Sequence, residues 1–126
     1  MTIPDNLKYT KDHEWIRFEG ETGTIGITDY AQGELGDVVF VELPPVGKAV
    51  KQHEVFGTIE AVKAVSDLYA PMSGSVTDVN AAVAASPEAV NKDPYGKGWM
   101  VKVKLSSAAE AGGLLDAAAY RALIGK

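Results

Sequence analysis

Glycine and proline cut this chain into short β-prone runs, and at one reversal a lysine stands where a turn residue is expected. Val55, Phe56, Thr58, Ile59 and Val62 favour an extended strand, and so do Val65, Leu68 and Tyr69. Lys63 falls between the two runs, where a hairpin must reverse. Neither Asn-Gly nor Asp-Gly, the strongest short reversal signals, is present there. The turn is therefore not selected for tightness alone. It holds one amine at an exposed tip, in a hairpin spanning about residues 55–70.

The other runs follow the same logic. Residues 1–12 read as an irregular lead-in broken by Pro4, Asp5 and Asn6. His13 to Glu19 and Thr24 to Thr28 form a hairpin across Gly20–Gly23. Thr28 caps a short helix running to about Glu34, with Asp29 in its first turn and Gly36 just beyond its end. Val38 to Leu43 is a strand stopped by Pro44-Pro45, and Val46 to Val50 turns toward the lysine hairpin. Ser75 to Asn80 is a further strand. Ser86 caps a brief helix with Pro87 at its first position. From Trp99 to Leu105 apolar residues alternate with Lys102 and Lys104, the pattern of a half-buried strand. Ser107 and Glu110 fit a capping box, and an Ala-rich helix runs over about 114–124 to Gly125. The fold class is mainly β: a flattened β-sandwich or barrel with short peripheral helices and a C-terminal helix.

The length of 126 residues fits one domain, 1–126, with one real core. Twelve basic against 17 acidic residues give a net charge of −5 with no basic cluster, which argues against nucleic acid and anionic membranes as partners. There is no cysteine, so disulfides, thiolate metal sites and a cysteine nucleophile are excluded. Sulfur redox chemistry would have to come from an attached group. His13 and His53 show no metal-ligand spacing, and both read as surface or structural residues. No run approaches the roughly 18 apolar residues of a membrane span. The N-terminus has neither signal nor transit pattern, so a bacterial-type cytoplasm is expected, with a mature organellar form as the alternative. Nothing in the sequence suggests an obligate dimer, so a monomer is expected.

Lys63 sits among small apolar neighbours, Ala61-Val62-Lys63-Ala64-Val65. Glycines lie six residues before it, at Gly57, and eleven after it, at Gly74. A solvated hairpin lysine is the ordinary reading, and a modified lysine is the specific one. A Schiff-base lysine is disfavoured: it needs burial or a cationic neighbour, and a hairpin tip with Glu60 and Asp67 nearby offers neither. Trp15 and Trp99 lie in strand-like runs and read as core residues rather than docking aromatics.

Glu60-Ala61-Val62-Lys63-Ala64-Val65-Ser66-Asp67, followed by Ala70-Pro71-Met72-Ser73-Gly74, resembles the lipoyl attachment site of the glycine cleavage H-protein family. The likeness extends from about Tyr9 to the C-terminus. His13-Glu14-Trp15, Gly26-Ile27-Thr28-Asp29-Tyr30-Ala31, Gly36-Asp37-Val38-Val39, Leu43-Pro44-Pro45-Val46-Gly47 and Gly98-Trp99 occur in the family's order. The lysine hairpin alone would also suit lipoyl domains of 2-oxo acid dehydrogenases, or biotinyl carriers. Biotinyl sites flank the lysine with methionines, whereas Val62 and Ala64 stand here.

The resemblance implies a barrel-sandwich hybrid of the lipoyl/biotinyl-carrier type and a carrier rather than an enzyme. Lipoic acid would be joined to Lys63 by an amide. Glycine decarboxylase would load an aminomethyl group, aminomethyltransferase would unload it, and dihydrolipoyl dehydrogenase would reoxidise the dithiol. A lipoate-attaching enzyme would act first, reading Gly57, Glu60 and Gly74. Glu14 and Asp67, with Asp12 assisting, would line a cleft for the loaded arm. The ordinary reading of each is a solvated surface acid. Two other readings are a lipoyl carrier that serves a different complex or relays lipoate to other proteins, and an unmodified β-sandwich interaction module.

Overall fold

A computed structural model describes residues 1–126. Its strands are β1 (Lys8–Tyr9), β2 (Glu14–Glu19), β3 (Thr22–Ile27), β4 (Val38–Glu42), β5 (Ala49–Val50), β6 (Val55–Ala61), β7 (Val65–Tyr69), β8 (Gly74–Val79) and β9 (Val101–Leu105). Helices α1 (Asp29–Leu35), α2 (Ala81–Ala85), α3 (Ala89–Lys92) and α4 (Ala117–Ile124) lie between and after them. One antiparallel sheet runs β1-β2-β3-β9-β8-β5 and the other β4-β6-β7. The sheets share a core and stay open rather than closing into a barrel. Ile16, Ile25, Val76 and Val103 from the first meet Val41, Phe56, Ile59 and Leu68 from the second. A second cluster, with Tyr9, Trp15 and Tyr120 at its centre, fastens the N-terminal segment and α4 to the back of β2.

Both hairpins form where the alternation placed them. Thr28 caps α1 through its hydroxyl, which accepts from the Ala31 N–H at 3.2 Å. Gly36 ends that helix at φ +78°, a conformation that glycine adopts without a Cβ penalty. The lead-in is not wholly irregular: Lys8 and Tyr9 pair with β2.

Four local expectations fail, three of them because another group wins the hydrogen bond. Asn80 ends β8 and caps α2, its side chain accepting from Ala82 N–H at 3.1 Å. Ser86 therefore closes α2 instead of opening the next helix, and α3 starts at Ala89. The Ser107–Glu110 capping box does not form. Glu110 takes both the Ser73 N–H (2.6 Å) and the Ser73 hydroxyl (2.7 Å), leaving a 3-10 turn over Ala108–Gly113. The tail helix begins at Ala117, not Leu114, because Asp116 caps it by accepting from Ala119 N–H at 2.8 Å. Trp99 lies outside β9, half-buried against the second cluster, with the Lys102 ammonium 5.2 Å from its ring centroid.

Gly57 and Gly74 are where neighbouring strands approach too closely for a side chain. A Cβ at Gly57 would collide with the Glu42 carbonyl oxygen of β4, and one at Gly74 with the Lys104 carbonyl oxygen of β9. Backbone cannot yield as a flexible side chain does. Gly57→Ala is expected to lower stability by about 2 kcal/mol, read as a drop in the urea midpoint at unchanged slope.

Candidate functional site

Lys63 stands at the reversal between β6 and β7, exposed along with Val62 and Ala64. The tip is closed by Ala61 N–H donating to the Ala64 carbonyl at 2.8 Å. It is tied to the body by Val62 N–H donating to the Asp37 carbonyl at 3.0 Å. The stem of Lys63 lies over Gly36, so close that a Cβ there would sit 3.3 Å from Cε. The junction of α1 and β4 therefore holds both the hairpin backbone and the first part of the lysine side chain.

Beside the hairpin a cleft of about 270 Å³ opens between β7, α1 and the start of β2. Ile27, Leu35, Ile59 and Leu68 give it apolar walls, while Asp12, Glu14, Glu34 and Asp67 bring carboxylates. The sequence-derived trio Asp12, Glu14 and Asp67 is thus brought together at one site. Glu60 is not in it: it is exposed on the outer face of the small sheet. Gly74 is buried in the other sheet, and it and Gly57 have the packing roles described above.

Glu14 is only 1% exposed, far from the solvated acid of the ordinary reading. Burial raises its carboxyl pKa to about 8. Two hydrogen bonds partly offset this: the Thr10 hydroxyl donates to Oε1 at 2.6 Å and Tyr69 N–H donates to Oε2 at 3.3 Å. The second comes from β7, whose outer edge has no strand partner, and so links the lysine hairpin to β2. Asp67 is exposed on the opposite lip.

His13 is the residue that sequence reasoning missed. It lines the cleft with φ at +70°, in the left-handed region that is uncommon for a residue with a side chain. Its Nδ1 lies 2.9 Å from the Tyr120 hydroxyl, which is also 2.7 Å from the Thr28 hydroxyl. Tyr120 in turn stacks on Tyr9 with ring centroids 4.7 Å apart. The tail helix thus reaches the cleft through one hydroxyl shared by His13 and the cap of α1. Burial lowers the His13 pKa from its usual 6.5, favouring neutral imidazole. Nothing within Asp12-His13-Glu14 signals this, because the partner lies 107 residues away. Tyr120→Phe is expected to cost about 1–2 kcal/mol, since it strips a shared partner from two groups; thermal unfolding reads it directly.

The sequence matches the family model described as Glycine cleavage H-protein over residues 7–126. The chain belongs to the glycine cleavage H-protein family. A glycine cleavage system H protein from Chlorobium luteolum is 61% identical over 127 residues, covering 99% of both chains. One from Symbiobacterium thermophilum is 60% identical over 120 residues, 95% of this chain and 94% of that one. The crystal structure of a glycine cleavage system H protein from Mycobacterium marinum superposes with a TM-score of 0.91 at 42% identity. It covers 98% of this chain and 100% of that one. Family membership agrees with the resemblance drawn from the lysine hairpin and its flanking motifs, and with the two-sheet fold. No helix is long and apolar enough to cross a membrane.

Proposed function

We propose that this chain is the lipoylated carrier of the glycine cleavage system. It takes the aminomethyl group of glycine from glycine decarboxylase to aminomethyltransferase and is reoxidised by dihydrolipoyl dehydrogenase. It is not itself an enzyme, and it works as a monomer in the cytoplasm. The observation that carries the reading is Lys63: an exposed amine on a braced hairpin, beside an acid-lined cleft, in a chain of this family.

The residues present suit a lipoyl group amide-linked to Lys63. When bound, it supplies the disulfide that this cysteine-free chain lacks. Lys63 provides the attachment point, and acylation removes its charge, lowering the cost of resting an arm against the body. Ile27, Leu35, Ile59 and Leu68 exclude water from the cleft. Glu14 and Asp67 receive a protonated amine there, with Asp12 assisting. Glu14 handles the proton. It is neutral while alone, so the cleft carries no unpaired buried charge, and a cation beside it lowers its pKa and lets it ionise where it has a partner. Gly57 lets β6 lie close to β4 and Gly74 lets β8 lie close to β9, which steadies the body that presents the hairpin, and Glu60 stands beside it for the lipoate-attaching enzyme to read.

The test is intact mass of protein from a host that makes lipoate. A lipoyl-sized increment mapped to Lys63, followed by a glycine-dependent further gain with glycine decarboxylase, is the expected result. An increment without glycine-dependent gain would assign the carrier to another complex. No increment would leave an unmodified interaction module.

A further inference from the structure

We propose that the outer face of the β4-β6-β7 sheet is the docking face for the enzyme that acylates Lys63. The inference rests on the lipoyl-carrier reading above. Strand β4 should alternate, with Val38 inward, Val39 outward and Phe40 inward. A register shift between Val38 and Phe40 breaks that order. Two residues of β4 then oppose one step of β6, and both Val39 (55% exposed) and Phe40 (47%) turn outward. The buried pattern resumes at Val41.

In register, Phe40 faces Glu60 and Glu60 faces Val65, so the three form one row across the sheet. Val65 is 68% exposed, and Val62 at the tip is 74% exposed. Four of the nine exposed large apolar side chains therefore gather around the lysine end of this small sheet. Grouped exposure of this kind is uncommon unless something covers it. The next row is Glu42, Thr58 and Asp67. Residues 37–42 and 55–69 hold four acids, Asp37, Glu42, Glu60 and Asp67, against one base, Lys63 itself. The complementary surface is an apolar depression ringed by lysine and arginine.

Reach selects the occupant. Unmodified Lys63 has only a four-carbon stem. The enzyme that acylates it must bring its own active site against the hairpin backbone. Enzymes that meet the finished arm work farther out and need not touch the row. In the acylation itself the ammonium gives up two protons, and Nζ forms the C–N bond to the lipoyl carbonyl carbon. The C–O bond of the lipoyl adenylate, made from lipoate and ATP, breaks, and AMP leaves with the electron pair.

The experiment follows lipoate attachment to the unlipoylated chain by intact mass, with lipoate, ATP and the attaching enzyme. Calorimetry measures the binding of the same enzyme. Phe40→Ser and Val65→Thr lie on exposed positions and should keep the parent's unfolding temperature. Each is expected to lower kcat/KM about tenfold, mostly through KM, with a matching loss of affinity, as removal of one interface anchor does. Leu123→Ser, exposed on the tail helix, should change neither. Variants that attach lipoate and bind as the parent does would overturn the docking face while leaving the carrier reading intact. A parent that takes no lipoyl increment would overturn both.

Discussion

A Lys63→Arg protein is expected to acquire no lipoyl increment at all, while unfolding at the temperature of the parent. The side chain is exposed and its stem lies over Gly36, so the substitution should stay within about 0.5 kcal/mol of the parent. Arginine keeps length and charge but remains protonated, and a guanidinium is not an acylatable amine. Intact mass after incubation with lipoate, ATP and an attaching enzyme gives an all-or-none reading. An increment that persists would move the attachment to one of the nine other lysines and unseat the reading of the cleft.

The second large effect concerns pH. Glu14 has a carboxyl pKa raised by burial from 4.5 to about 8. Between those values the folded chain holds a proton that the unfolded chain has released. Stability must therefore fall as pH rises through this window, by at most about 4–5 kcal/mol. Glu14→Gln keeps the shape and removes this titration, so the variant should lack that loss, and its stability relative to the parent should rise steadily as pH climbs from 4.5 to about 8. His13 acts on the other side. Its lowered pKa means that the unfolded chain gains its proton first, so stability falls as pH drops below 6.5. The Glu14→Gln difference curve isolates the first effect from His13 and from the cleft carboxylates Asp12, Glu34 and Asp67. Urea unfolding at several pH values measures it, and equal slopes for parent and variant above pH 5 would dismiss a buried neutral Glu14.

Much of this was legible because short-range physics decides it. The β6–β7 hairpin, the β2–β3 hairpin, the Thr28 cap and the Gly36 stop all rest on residues a few positions apart. The failures share the opposite cause. Glu110 has a good local partner in Ser107 but is taken by Ser73, 37 residues earlier. Ser86 loses its cap role because Asn80 has already started a helix upstream. At the site, family resemblance put Glu14 and Asp67 beside the hairpin, but not the depth of Glu14. That depth is set by Thr10 and by the unpaired edge of β7. The bridge from Tyr120 to His13 and Thr28 joins opposite ends of the chain, and no window of sequence contains it.

The bond from Val62 to the Asp37 carbonyl holds the backbone beneath Lys63 to the body. On the carrier reading proposed above, only the side chain and what it bears would swing, and successive partners would take turns around one fixed pivot. The pace of such a relay would then be set by how quickly each visitor lets go, and mutations that tighten any single encounter would slow the whole circuit.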